Sequence, residues 1–195
     1  AYLEHVENVQ PRLKEAAFEL DRRIAHSAFA AELDHGRYAI YLRNIQNNVE
    51  LFRPENIPLE TELNRLDQEY SQICGAMTVN FRGEERTLPQ MARYLEEADR
   101  ATREQAWRSI AEGRHRDHER LGGTCDQLVR LRDQMARNAG WANFVEYAFK
   151  RKHRFDYTPE DCREFHRGAE EVCVPVYREL NRERATALGI DVEGL

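Results

Sequence analysis

No run of about 18 apolar residues occurs in the 195-residue chain, which leaves no candidate for a membrane span. The opening residues, Ala1-Tyr2-Leu3-Glu4-His5, lack the basic start and apolar stretch of a secretory signal, and none is expected. Cysteine is sparse: Cys74, Cys125, Cys162 and Cys173 are scattered without a CxxC pair. They read as reduced thiols of a cytoplasmic protein, most of them small core residues. Lysine is confined to Lys14, Lys150 and Lys152, so arginine carries nearly all the positive charge, and no function follows from that. Acidic residues number 35 against 29 Lys and Arg, a formal charge of −6 that argues against nucleic acid as the partner. GxSxG, P-loop, GxGxxG and HExxH patterns are all absent.

What is present is amphipathic. Hydrophobic residues make up 41% and charged residues 33% of the chain, with a mean hydropathy of −0.80. Such a chain must build a thin core under a wide surface, as helices with one apolar stripe do. Val6, Val9, Leu13, Ala17, Leu20, Ile24 and Ala28 recur at helical spacing, with Pro11 near the start and His35-Gly36 as the interruption. Tyr38, Tyr41, Leu42, Ile45, Val49 and Phe52 predict a second helix that Pro54 stops. Pro58 opens a third, in which Leu59, Leu63, Leu66, Tyr70, Ile73 and Met77 form a heptad seam suited to an intramolecular helix pair.

The period then changes. Met77 to Phe81 alternates apolar and polar residues, Arg82-Gly83-Glu84-Glu85 supplies a turn, and Arg86-Thr87-Leu88 returns, which predicts a β-hairpin ended by Pro89. Helix resumes through Met91, Tyr94 and Leu95. Asp99 suits an N-cap for a helix through Ala106, Trp107 and Ile110 toward Leu121, with Gly122-Gly123 as its break. Cys125, Leu128, Leu131, Met135 and Ala139 line a further face closed by Gly140, and a short piece follows from Phe144 to Phe149. Thr158-Pro159-Glu160-Asp161 has the residues of a helix start. The last helix shows Cys162, Phe165, Ala169, Val172, Val176 and Leu180 on one side, a kink at Pro175 and an end at Gly189. The fold class is all-α, multi-helix and elongated, with one β-hairpin near residues 77–88.

Three clusters offer chemistry, each with a plainer reading. His115 and His118 precede Glu119 in HxxHE order, where a metallopeptidase helix would place the glutamate beside the first histidine; a solvated helix face is favoured. Cys162, His166, Glu170 and Cys173 are zinc-ligand types on one helix, but a single straight helix cannot wrap four ligands around one ion, so core thiols are favoured. The basic run Lys150-Arg151-Lys152-His153-Arg154, flanked by Phe149, Phe155 and Tyr157, could meet phosphates and bases, but reads as a solvated loop or a charged contact within the protein.

Three linked stretches carry a resemblance. They are Glu69 to Val79 with Gly83 to Pro89, then Arg103-Glu104-Gln105-Ala106-Trp107-Arg108, then Asn138 to Phe144 through Arg154-Phe155-Asp156-Tyr157-Thr158-Pro159. Their order and spacing resemble the region upstream of the active site in oligoendopeptidase-F-type zinc metallopeptidases, relatives of thimet oligopeptidase, from about Arg43 to Gly189. The resemblance implies a mostly helical enzyme in two lobes around a deep channel that admits oligopeptides. In that family zinc is held by HExxH and a later glutamate, with the HExxH glutamate as general base. None of those residues stands in this sequence, so the resemblance assigns no catalytic, cofactor-binding or metal residue here, and Zn is implied only for the full-length enzyme.

The expectation is therefore a non-catalytic, cytoplasmic channel-wall portion, an internal piece of a larger two-lobed peptidase. Residues 1–195 would form one helical unit, with N-terminal helices over 1–75, the hairpin over 76–89 and a helical lobe over 90–195. Its partners would be the zinc-bearing half of the same protein and oligopeptide substrates, with no nucleic acid and no membrane. The alternative is a stand-alone helical module, derived from such a peptidase, that grips a peptide or protein without chemistry.

Overall fold

Helix formation begins ahead of Pro11. In the computed structural model, which describes residues 2–191, an α-helical turn at Tyr2–Glu4 continues through a π-helical turn at His5–Val9 into α1 (Gln10–Ala25). Pro11 lacks an N–H and would press its ring on the carbonyl four residues earlier, at Glu7. The wider π turn contains Glu7 and relieves that clash. The same device recurs late in the chain, where a π turn at Ala169–Cys173 separates α7 (Pro159–Gly168) from α8 (Val174–Leu188) and encloses Glu171, four residues before Pro175. The expected irregularity at Pro175 thus takes the form of a π turn.

Between those ends the order is α2 (His35–Leu51), α3 (Asn56–Ala76), β1 (Thr78–Phe81), β2 (Glu84–Thr87), α4 (Arg100–His115), α5 (His118–Asn138) and α6 (Phe144–Arg151). The all-α class with one antiparallel hairpin is what the sequence pattern predicts. The described chain divides into two units, one up to Phe144 and one from Val145.

In the first unit, α1 packs on α2 and, through the Lys14–Glu60 ion pair, on α3. Phe18 stacks on Phe52 with ring centroids 3.9 Å apart. The face of α1 differs from the expected one: Leu13 and Leu20 are each 57% exposed, while Val6 is buried and Phe18 half-buried. The polar stretch Asp34-His35-Gly36 starts α2 rather than interrupting a pattern, because the Asp34 carboxylate accepts a hydrogen bond from Gly36 N–H at 2.8 Å.

The heptad seam of α3 finds its partner in α5. Leu63, Leu66 and Ile73 are buried on one helix, and Thr124, Leu128, Met135 and Ala136 on the other. Arg120 and Glu69 bridge the pair at 3.0 Å. Helix α5 runs straight through Gly122-Gly123, and the break falls at Arg116-Asp117 instead. Each glycine costs about 1 kcal/mol in a helix interior, which a long apolar stripe with a tertiary partner outweighs. Gly140, at φ +87°, closes α5 by a Schellman motif in which Trp141 N–H donates to the Ala136 carbonyl at 2.9 Å.

The hairpin turn is tighter than expected. Only Arg82 and Gly83 form it, with φ of +57° and +81°, the left-handed pair that a two-residue loop between twisted strands requires. Val79, Phe81, Met91, Tyr94, Ala106 and Ile110 make a second core between hairpin and α4. Pro89 does not follow the hairpin as a stop but lies in the first turn of a short helix, Leu88–Met91, whose capping box joins Thr87 to Gln90.

In the second unit, α6 ends with His153 in the left-handed region, φ +53°, and Arg154 N–H donates back to the Phe149 carbonyl at 2.9 Å. The expected start at Thr158 is present as a capping box with Asp161. Gly189, at φ +63°, ends α8. The expected core stripe of this segment faces outward: Phe165, Val172, Val176 and Leu180 are all exposed.

Candidate functional site

Helix α4 has two working faces. One carries Ala106, Ile110 and Gly113, all buried toward the hairpin. Gly113 is needed there, since a Cβ on it would lie 2.6 Å from Val79 Cγ1. The other face carries Trp107, Ala111, Arg114 and His115 at steps of three and four residues. Leu88 and Leu95 lie across from it, and a groove of about 680 Å³ opens between. Trp107 is 60% exposed, an unusual position for the largest apolar side chain of the helix. Thr102 and Asp99 fix the start of α4: the Thr102 N–H and hydroxyl both donate to Asp99 Oδ2, at 2.9 and 2.7 Å. Those bonds, the hydroxyl's first, hold the Asp99 carboxyl below its ordinary range.

His115 and His118 stand at the far end of the groove, on either side of the α4–α5 junction rather than along one helix. Their rings stack with centroids 4.2 Å apart and planes 9° from parallel. His118 Nδ1 lies 2.8 Å from the His115 carbonyl, so that nitrogen is the donor in this contact. The two imidazoles therefore meet face to face, and Glu119 next to them is exposed.

The cysteine-bearing set falls differently. Cys162 and His166 lie on α7, while Glu170 and Cys173 lie in the π turn, which shifts them off the i, i+4 register. Cys162 is half-buried and Cys173 exposed, as is Cys125, so a core role does not describe these thiols. Among the described residues no group of three or more His, Cys, Asp or Glu side chains is placed to hold a metal ion. Zinc needs three or four such donors in tetrahedral array, and the His115–His118 pair supplies two in a stack. The residues present do not fit a zinc site, and no step through a metal is assigned to them.

The basic run also has structural employment. Arg154 lies over the Phe149 ring at 5.4 Å and Lys150 over Phe155 at 5.9 Å, while Phe149 meets Tyr157 edge-on at 5.6 Å. The chain's own cations thus cover two of the aromatic faces that a nucleobase would need.

Sequence reasoning missed the groove. Trp107 and Ile110 were expected along one helix with no faces assigned to them; the structure buries Ile110 at 9% exposure and leaves Trp107 60% exposed. The signal was the run Trp107, Ala111, Arg114, His115, in which apolar residues give way to nitrogen-bearing side chains along one helix face.

Fold and site together define a class: a helical scaffold with one hairpin, bearing an apolar groove rather than a gathered set of catalytic side chains. No protein-family model matches the chain, and no curated protein sequence matches it. Solved structures do. Over 97% of its length the chain is similar to a structure assigned to oligoendopeptidase F, at 25% identity and a TM-score of 0.90, covering 33% of that chain. PZ peptidase A with an inhibitor is similar at 26% identity and a TM-score of 0.89, with 97% of this chain and 34% of that one covered. An oligoendopeptidase F structure from Bacillus anthracis strain Ames, at 24% identity, shares the fold with a TM-score of 0.88, over 97% of this chain and 35% of its own. The chain thus spans about a third of the length of the peptidases it matches. The resemblance read from Glu69–Pro89, Arg103–Arg108 and Asn138–Pro159 is borne out: the chain is similar in fold to about a third of the length of oligoendopeptidase F structures. No helix among the described residues is long and apolar enough to cross a membrane.

Proposed function

We propose that the chain is the non-catalytic, helical channel-wall portion of a two-lobed zinc peptidase that hydrolyses oligopeptides. It shapes the substrate channel and packs against a zinc-bearing half of the same protein, which supplies the metal and the general base. No residue of this chain is assigned a catalytic, cofactor-binding or metal role. The observation that carries the reading is the similarity of 97% of this chain, at a TM-score of 0.90, to a third of an oligoendopeptidase F chain. The outward apolar stripes agree with it. Leu13 and Leu20 on α1, and Phe165, Val176 and Leu180 on α7 and α8, are faces that a further part of the protein would cover. Free thiols at all four cysteines accord with a cytoplasmic location.

The test is the intact mass and activity of the species that carries this sequence in its source cells. The expected result is a protein several times heavier than 23.0 kDa that cleaves oligopeptides until a chelator is added, while the 195-residue chain alone cleaves none. A native species of 23.0 kDa would overturn the reading, as would chelator-sensitive cleavage by the chain alone.

A further inference from the structure

The groove on α4 changes character along its length. Trp107 and Leu95 make an apolar end, and the Arg114 guanidinium with the His115 and His118 rings makes a polar end of which Arg114 is the cation. Eight residues of helix, about 12 Å, separate Trp107 from His115. No carboxylate is among the described residues that line it, so a negative charge entering at the Arg114 end meets the Arg114 guanidinium beside apolar walls. The volume of about 680 Å³ lies in the range of small-ligand sites. An extended peptide advances about 3.3 Å per residue, so 12 Å accommodates about three or four residues.

We propose that this groove binds the C-terminal end of an apolar oligopeptide, with the free α-carboxylate on Arg114 and the apolar side chains against Leu95 and Trp107. The choice of a peptide rests on the oligopeptide reading above; the polarity of the groove is independent of it. Arg114 supplies a planar fork of N–H donors suited to a carboxylate, which a neutral amide terminus cannot match. His118 has its Nδ1 proton committed to the His115 carbonyl, which fixes the orientation of that ring in the groove wall. Arg114 and Trp107 are exposed and outside the hairpin core, so changing them tests binding without removing buried packing.

The experiment uses the 195-residue chain with Trp141→Phe, so that Trp107 is the sole fluorophore among its tryptophans. The probes are acetyl-Leu-Leu-Leu as the free acid, the same peptide as its C-terminal amide, and decanoate. The expected result is a Trp107 signal with the acid binding about tenfold more tightly than the amide, and loss of that preference in Arg114→Gln. Circular dichroism and the urea midpoint of Arg114→Gln should match the parent. Equal binding of acid and amide would overturn the proposal, as would a preference that survives Arg114→Gln. Decanoate binding as tightly as the peptide acid would overturn the peptide as occupant. Should the native species prove not to be a peptidase while the acid still binds through Arg114, the groove stands and the functional reading falls. A heavy, chelator-sensitive peptidase with a groove blind to the carboxylate would do the reverse.

Discussion

The Asn56 side-chain amide donates to the main-chain oxygen of Met135 at 3.0 Å, joining residues 79 positions apart in the chain. Asn138 Nδ2 in turn donates to Asn56 Oδ1 at 2.8 Å, and Arg53 Nε donates to the Asn138 carbonyl at 3.2 Å. The elbow between α2 and α3 therefore gives the Asn138 carbonyl at the end of α5 a donor and adds a second one to the Met135 carbonyl, which also accepts from Ala139 N–H at 3.2 Å. Asn56 is only 4% exposed, so water cannot replace it. Asn56→Ala should cost about 1–3 kcal/mol in urea unfolding. Asn56→Asp should cost at least as much, because an oxygen would then face the Met135 oxygen. A change within error for both variants would mean that the elbow is not what holds α5 on α3.

Two kinds of helical glycine should respond to alanine with opposite signs. At Gly113 the new methyl would lie 2.6 Å from Val79, a β-branched side chain with no free end to move, and Gly113→Ala should destabilise by about 1–3 kcal/mol. At Gly122 and Gly123 a Cβ meets nothing within 4 Å. Each alanine there should add about 1 kcal/mol through helix propensity. Thermal melts of the three single variants check both signs at once.

Aromatic residues of the two units should differ as sharply. Phe81 is 1% exposed and central to the hairpin core, so Phe81→Ala should cost about 3–5 kcal/mol. Phe165 is 76% exposed, and Phe165→Ser should shift stability by no more than about 0.5 kcal/mol. The serine should instead reduce binding of a hydrophobic dye to the chain, which a fluorescence titration reads directly.

Acid sensitivity should arise in part at two caps. Hydrogen bonds from Thr102 depress the Asp99 carboxyl, and hydrogen bonds from Thr158 depress that of Asp161. A carboxyl whose folded value lies below its unfolded one contributes stability that is complete above the unfolded value, about pH 3.9, and is lost as pH falls through the folded value. Melting temperature should therefore drop more steeply below about pH 4 in the parent than in Asp99→Asn or Asp161→Asn. Asparagine retains a capping oxygen but does not titrate in this range. Identical acid limbs for parent and variants would remove the caps as the cause.

Much of the fold was legible because it depends on local pattern. The heptad seam from Leu59 to Met77, the hairpin alternation from Met77 to Phe81, and the cap residues Asp99 and Thr158 all act within a few residues of themselves. What misled was any residue whose local tendency competes with a distant contact. Gly122-Gly123 reads as a break, yet the stripe of α5 against α3 carries the helix through it. Leu13 and Leu20 read as core, yet α1 turns Phe18 toward Phe52 instead. Cys162 and Cys173 read as buried thiols on an apolar stripe that in fact faces outward.

By itself the sequence determined the class: helices with narrow apolar stripes, one hairpin, and too little hydrophobic surface for anything thicker. It also determined the linked stretches that resemble a peptidase without its zinc motif. Periodicity, capping and turn chemistry are short-range, so they survive in one dimension. Which stripe faces inward, where α4 gives way to α5, and that Trp107 and Arg114 share an open groove were decided only in three dimensions. Each depends on competition between alternative burials, and that competition is settled by the partner surface a helix meets rather than by its own residues.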